Sequence, residues 1–141
     1  MEPGSHVKVV IAVQDGPHEL IETPWAIPVG EDLYKLDNLP WYARGLSCGD
    51  VMLARPGFDG RLRYIRVMSK SGNRTVRAFL QDTRFWKREA ILERLRAFGC
   101  DYEGMDGVRY AINVPADSDL RAVREFIEGL GVVWEQADPE L

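Results

Sequence analysis

A chain of 141 residues, 45% hydrophobic and 28% charged, has the length of one domain or of two small halves sharing a core, and is too apolar for a disordered one. Its longest unbroken apolar runs are a few residues, as in Val9 to Val13, far short of the roughly 20 that cross a bilayer, so no membrane span is expected. The net charge of −4 hides an asymmetry: Arg55 to Arg96 holds twelve Lys/Arg against four Asp/Glu, and the remainder six against eighteen. A basic middle between acidic ends calls for an anionic partner at the centre or for pairing between the halves.

The opening "MEPGSHVK" lacks the basic start and apolar middle of a secretory signal, which makes the cytoplasm the expected location; residues 1–6 are left out of the fold reading. "VKVVIAV", Val7 to Val13, is β-branched and reads as a buried strand ended by Asp15, Gly16 and Pro17. "HELIETPWAIPV" is extended, but Pro24 and Pro28 restrict it to an edge or a bulged strand. Val51 to Ala54, Leu62 to Met68 and Thr75 to Leu80 form a meander, with turn chemistry at Pro56-Gly57, Asp59-Gly60 and Ser71-Gly72-Asn73. From Thr83 the period changes from two to about 3.6: Ile91, Leu92, Leu95 and Phe98 define a helix over Phe85 to Phe98, closed by Gly99. Two strands follow, Cys100 to Glu103 and Val108 to Val114. A second helix with Asp117 as N-cap carries Leu120, Val123, Ile127 and Leu130 inward, and Val132 to Trp134 begins a last strand.

The fold expected is α+β. An N-terminal bent antiparallel sheet or partial β-barrel (1–74) precedes a ferredoxin-like βαββαβ plait (75–141), the two closely packed as one structural unit.

Three groups of residues could carry chemistry. Around "YKLDNLPWYARGLSCGDVM", Asp37, Ser47, Cys48 and Asp50 could frame a small-molecule or catalytic cleft. Cys48 lacks a nearby base, however, with only His6 and His18 in the chain, and Asp37 and Asp50 stand where turns use aspartate to bond their own backbone. The two cysteines show no C-x-x-C spacing and there is no glycine-rich phosphate loop, so reduced thiols and neither metal nor cofactor are expected. The basic set Arg61, Arg63, Arg66, Lys70, Arg74, Arg77, Arg84, Lys87 and Arg88, interleaved with Phe58, Tyr64, Phe79, Phe85 and Trp86, has the composition that holds single-stranded nucleic acid. Strict alternation separates Arg61 and Arg63 from Arg66 and Lys70 onto opposite faces unless a bulge intervenes. Among the four tryptophans, Trp25 and Trp41, with Tyr42, are the candidate partner contacts. Trp41 and Tyr42, adjacent, would point oppositely in an extended chain, so one of them would be exposed.

Trp25 shortly after an acidic residue, Tyr34, Leu36-Asp37-Asn38, Pro40 with an aromatic after it, Ser47, Gly49-Asp50-Val51, and Ser71-Gly72 ahead of Thr75 and Arg77 together resemble a bacterial domain-of-unknown-function family, number 4265. The resemblance covers most of the chain and implies no assigned activity. It also implies a histidine after the glycine of the Ser71-Gly72 turn, where this chain has Asn73, which lowers the enzyme reading further.

The function expected first is a non-enzymatic binding protein, an inhibitor, immunity-type or accessory factor engaging a protein or peptide. Acidic residues near the C-terminus (Asp117, Asp119, Glu125, Glu128, Glu135, Asp138 and Glu140) suit a basic partner. The alternatives are an RNA, single-stranded nucleic-acid or ribosome-associated module using the Arg61 to Arg88 region, and a small-molecule binder or enzyme around Asp37, Cys48 and Asp50.

Overall fold

The computed structural model of the protein describes residues 5–140. β1 (Val7–Asp15) follows from the β-branched run, and Val9, Val10 and Ile11 are all buried, as in a strand covered on both faces. The turn at Gly16-Pro17 folds β2 (His18–Glu22) back on the outer half of β1, while β3 (Trp25–Gly30) pairs with its start at Val7 and Lys8. Pro28 lies inside β3 opposite Tyr34, and the register slips before Gly30, which is the bulge that a proline in a strand calls for. β4 (Leu33–Leu36), β5 (Val51–Pro56) and β6 (Leu62–Ser69) complete an antiparallel succession.

This sheet is bent but is not a barrel. Its order is β2-β1-β3-β4-β5-β6, and β1 gives its outer half to β2, so that only Val9 and Val10 reach β6 in a two-residue parallel contact. No continuous ladder closes the structure. Its core is formed by Val9, Ile11, Ala26, Leu36, Leu46, Met52 and Ala54.

The second sheet is built from β7 (Arg74–Phe79), β8 (Asp101–Gly104), β9 (Arg109–Val114) and β10 (Trp134–Asp138), antiparallel throughout and ordered β10-β7-β9-β8. α1 (Arg88–Ala97) follows β7 and α2 (Leu120–Gly129) follows β9. Val76, Ala78, Ile112 and Val114 from the strands meet Ile91, Leu95, Val123 and Ile127 from the helices in one core. Thr75 and Arg77 alternate with Val76 and Ala78 and therefore point to the sheet's other face.

α1 begins at Arg88 rather than Phe85, because Thr83 and Trp86 close a turn of their own: Trp86 N donates to Thr83 Oγ1 at 3.0 Å and Thr83 N to Trp86 O at 2.8 Å. Gly99, at φ +92°, ends it as the sequence requires. The N-cap of α2 is Asp119, not Asp117; its carboxylate accepts from Ala122 N at 3.1 Å. The class is thus α+β, with two mostly antiparallel sheets and two short helices. Among the described residues, no helix is long and apolar enough to cross a membrane.

Candidate binding cleft at the seam of the two sheets

Residues 37–50, the corner between β4 and β5, lie between the two sheets. Two oppositely charged side chains hold that corner. Glu22, at the end of β2 and nearly fully buried, accepts three backbone N–H groups: Trp41 N on one oxygen, Tyr42 N and Ala43 N on the other, each at 2.8 Å. Three consecutive amides converging on one carboxylate require a curled backbone, an anion nest filled from within the chain. From the opposite side Arg77 of β7 donates to the corner's carbonyls, Pro40 O at 2.9 Å and Tyr42 O at 3.3 Å, and to Glu135 at 2.8 Å. Arg44 reaches the other oxygen of Glu135 at 2.6 Å. Each buried charge thereby meets several partners, which offsets the cost of removing it from water.

The curl has a direct consequence for Trp41 and Tyr42. The corner is not extended, so the two aromatics do not diverge; both line one cleft, about 350 Å³ in volume. Arg77, Ala78 and Phe79 of β7, Met105, Arg109 and Tyr110, and Val133 to Glu135 form the rest of its wall. Phe79, Met105 and Val133 are exposed there, Val133 by 72%. The cations of the wall are already balanced, Arg77 by Glu135 and Arg109 by Asp106 at 2.9 Å. The lining holds aromatic and aliphatic surface with neutralised charge.

Trp25 stands apart on β3, exposed, with the Lys8 ammonium 4.8 Å from its ring centre and His6 edge-on at 6.2 Å. It borders a second, shallower hollow that includes Glu22, Asn38, Trp41 and Glu103, so Trp41 lies at the boundary of both concavities.

The residues that could have framed a reactive cleft are not brought together as one. Asp50 is fully buried and accepts from Ser47 N (2.9 Å), Ser71 N (2.7 Å) and Lys70 Nζ (2.5 Å). Lys70 continues to Asp138 at 2.6 Å and Gly45 O at 3.1 Å. Burial works against the lysine's charge, but the bonds to Asp138 and Asp50 outweigh it and hold the pKa above its ordinary value. Ser47, also fully buried, donates to Asp138 at 2.5 Å and lies 2.7 Å from Thr75 Oγ1. This cluster is a polar joint between the sheets: both oxygens of Asp50 and Oδ2 of Asp138 accept hydrogen bonds within it. Asp37 lies elsewhere, with His6 Nε2 at 2.5 Å. Burial first, then Asp37, raises the Cys48 pKa, so the thiol stays protonated at neutral pH; Cys100 is pushed up to about 11, mainly by burial. Asn73, in the place of the implied histidine, ties the corner down through its side-chain amide, which donates to Cys48 O at 2.9 Å.

The basic set does not form one surface. Lys70 and Arg77 are engaged in the seam, and Arg74 donates to Val114 O, Pro115 O and Ser118 O, tying β7 to the β9–α2 connection. Arg84 lies over Phe85, Lys87 pairs with Asp82 at 3.5 Å, and Arg88 donates to Gly107 O, all near the start of α1. Arg61, Arg63 and Arg66 belong to β6 and its approach, on the other sheet. Of the acidic residues near the C-terminus, Glu135 and Asp138 are engaged in the same seam, which leaves fewer of them for an outside partner. Glu22 was not singled out from the sequence and Glu135 only as one of the acidic residues suited to an outside partner, since nothing local to them announces partners 19–21 and 58 residues away.

Fold and cleft together define an α+β protein whose two antiparallel sheets meet at an aromatic-lined seam. A family model described as a domain of unknown function (DUF4265) matches residues 22–134, and the chain belongs to that family. The crystal structure of a hypothetical protein from Neisseria gonorrhoeae has the same fold: the TM-score is 0.84 over 99% of each chain, at 12% sequence identity. No curated protein matches the chain.

Proposed function

We propose that this is a non-enzymatic binding protein, an inhibitor, immunity-type or accessory factor that engages a protein or peptide through the Trp41–Tyr42 cleft. The observation that carries this reading is the convergence of Trp41, Tyr42, Phe79, Met105 and Trp134 on one open cleft whose charges are internally paired. Tryptophan, tyrosine, methionine and arginine are the residues that interfaces concentrate. A cleft of about 350 Å³ is at the lower end of the ~300–1,000 Å³ that hold small ligands, and it suits an aromatic or aliphatic anchor side chain of a partner. We also read the β10-β7-β9-β8 sheet as a ferredoxin-like plait; the strand order, the helix after β7 and after β9, and the single core shared by both helices support it.

A selection from a random peptide library on the wild-type protein tests the binding reading. The expected result is enrichment of peptides with a large apolar anchor whose affinity falls at least tenfold, about 1.4 kcal/mol, with Trp41→Ala or Phe79→Ser. Enrichment of the same peptides on both variants, or of none on the wild type, removes the reading.

A further inference from the structure

The register of β6 changes what its arginines can do. Ala54 pairs with Tyr64 and Leu53 with Arg66, so one step on β5 spans two residues of β6; a second slip carries Val51 to Ser69 after Met52 to Val67. Without the first slip Arg66 would share the inward phase of Leu62 and Tyr64, which pack on the first core. With it, Val67 takes the inward place, and Arg66 is exposed alongside Arg63. Ile65 and Met68 are 47% and 48% exposed, and Phe58 in the β5–β6 turn is fully exposed. Arg63 and Arg55 pair with Asp59 and Asp32 at 3.2 Å, exposed pairs that are weak and easily exchanged. Arg61 and Arg66 have no acidic partner among the described residues. Among the described residues, no strand pairs with the outer edge of β6 beyond Arg63.

We propose that the outer face and free edge of β6 dock an acidic segment of a partner protein, with Arg61, Arg63 and Arg66 facing its carboxylates and Ile65 and Met68 its apolar side chains. Charge complementarity and the mixture of arginine, isoleucine and methionine favour a polypeptide. Nucleic acid would need aromatic rings among the cations on which bases stack. Here Tyr64 packs inward on the first core and Phe79, Phe85 and Trp86 belong to the other half of the chain, which leaves Phe58 in the β5–β6 turn as a single exposed ring beside these cations rather than a row on which successive bases stack. A free strand edge also offers backbone bonds to an extended peptide. This surface is separate from the Trp41–Tyr42 cleft and stands or falls independently of it.

The test uses the full chain and two labelled probes, a twelve-residue glutamate-rich peptide carrying two leucines and a twelve-nucleotide oligouridylate, followed by fluorescence anisotropy. The peptide is expected to bind at low salt and weaken as salt rises, to lose at least tenfold with Arg61→Glu combined with Arg66→Glu, and at least threefold with Ile65→Ser. Arg121→Ala, at an exposed position of α2, should leave its binding unchanged. All these positions are exposed or partly so, and circular dichroism confirms that each variant folds. Tighter binding of the oligouridylate, lost on charge reversal but indifferent to Ile65→Ser, overturns the proposal in favour of nucleic acid. Absence of peptide binding, or binding indifferent to both β6 variants, overturns it outright.

Discussion

The four-stranded sheet has two helices against one face, and eleven buried side chains form its core; the six-stranded sheet has no helix, and eight buried side chains form its own. The first therefore covers itself with regular structure, whereas the six-stranded sheet depends on the corner at residues 37–50 for its lid: Ala43 and Leu46 of that corner belong to its core. The same corner meets the polar face of the four-stranded sheet through Arg77, Thr75 and Asp138. One irregular segment thus serves two surfaces, apolar toward its own sheet and hydrogen-bonded toward the other. Such a seam specifies geometry more tightly than an apolar one would, because every buried donor and acceptor fixes a direction as well as a contact. The candidate cleft inherits that precision, since Trp41 and Tyr42 are placed by Glu22 and Arg77 rather than by a strand or helix.

The helical half should be the most sensitive to loss of a core side chain. Leu95 is completely buried in the core of the four-stranded sheet, and Leu95→Ala should cost about 2–5 kcal/mol in urea unfolding. If the seam couples the halves, the variant unfolds in one transition reported equally by far-ultraviolet circular dichroism and tryptophan fluorescence. Two separated transitions would show that the six-stranded sheet keeps its fold alone.

A smaller effect is expected at the corner. Glu22→Gln preserves size but removes the charge and turns one acceptor into a donor, facing amide N–H groups that need acceptors. The expected loss is about 1–3 kcal/mol, accompanied by a shift in the emission of Trp41 and weaker binding at the cleft. Unchanged stability and unchanged cleft binding would mean that the nest does not position the aromatics.

Most regular elements were legible in the sequence, because Val7 to Val13, Leu62 to Met68 and the Ile91–Leu95 and Val123–Ile127 spacings carry a period that burial imposes locally. β4 was not: Leu33 to Leu36 is short and runs into polar turn residues, and what makes it a strand is the pair of partners, β3 and β5, on either side. Trp41 and Tyr42 could be singled out as contacts from their type, but their common direction follows from a carboxylate 19 and 20 residues earlier. Alternation alone places Arg66 opposite Arg63 unless a bulge intervenes, and whether one does is not legible, because a bulge is a property of the pairing with β5 and leaves no mark within β6.

The mildest perturbation is alkaline pH, and it separates the two halves by their own titrating groups. In the helical half Cys100 is held at a pKa of about 11 against an ordinary 9.0, by burial and the neighbouring Asp101. In the other half burial raises Cys48 and Tyr64, and in the seam the bonds to Asp138 and Asp50 raise Lys70. Every one of these folded-state values lies above the unfolded one, so each contribution is complete below the unfolded pKa and is lost as pH rises through the folded pKa. Urea midpoints should therefore be flat from neutral pH to just below about pH 9, fall as the thiols ionise on unfolding, and fall further above about pH 10.5, where Lys70 loses its proton in the unfolded chain while the folded one keeps it. Cys100→Ala should flatten the first part of the fall and Lys70→Met the second. A midpoint that rose between those values would contradict the direction of all four shifts. A fall that survived Cys100→Ala intact would assign the alkaline sensitivity to Cys48 and Tyr64, making the half that lacks helices the one whose burial yields first.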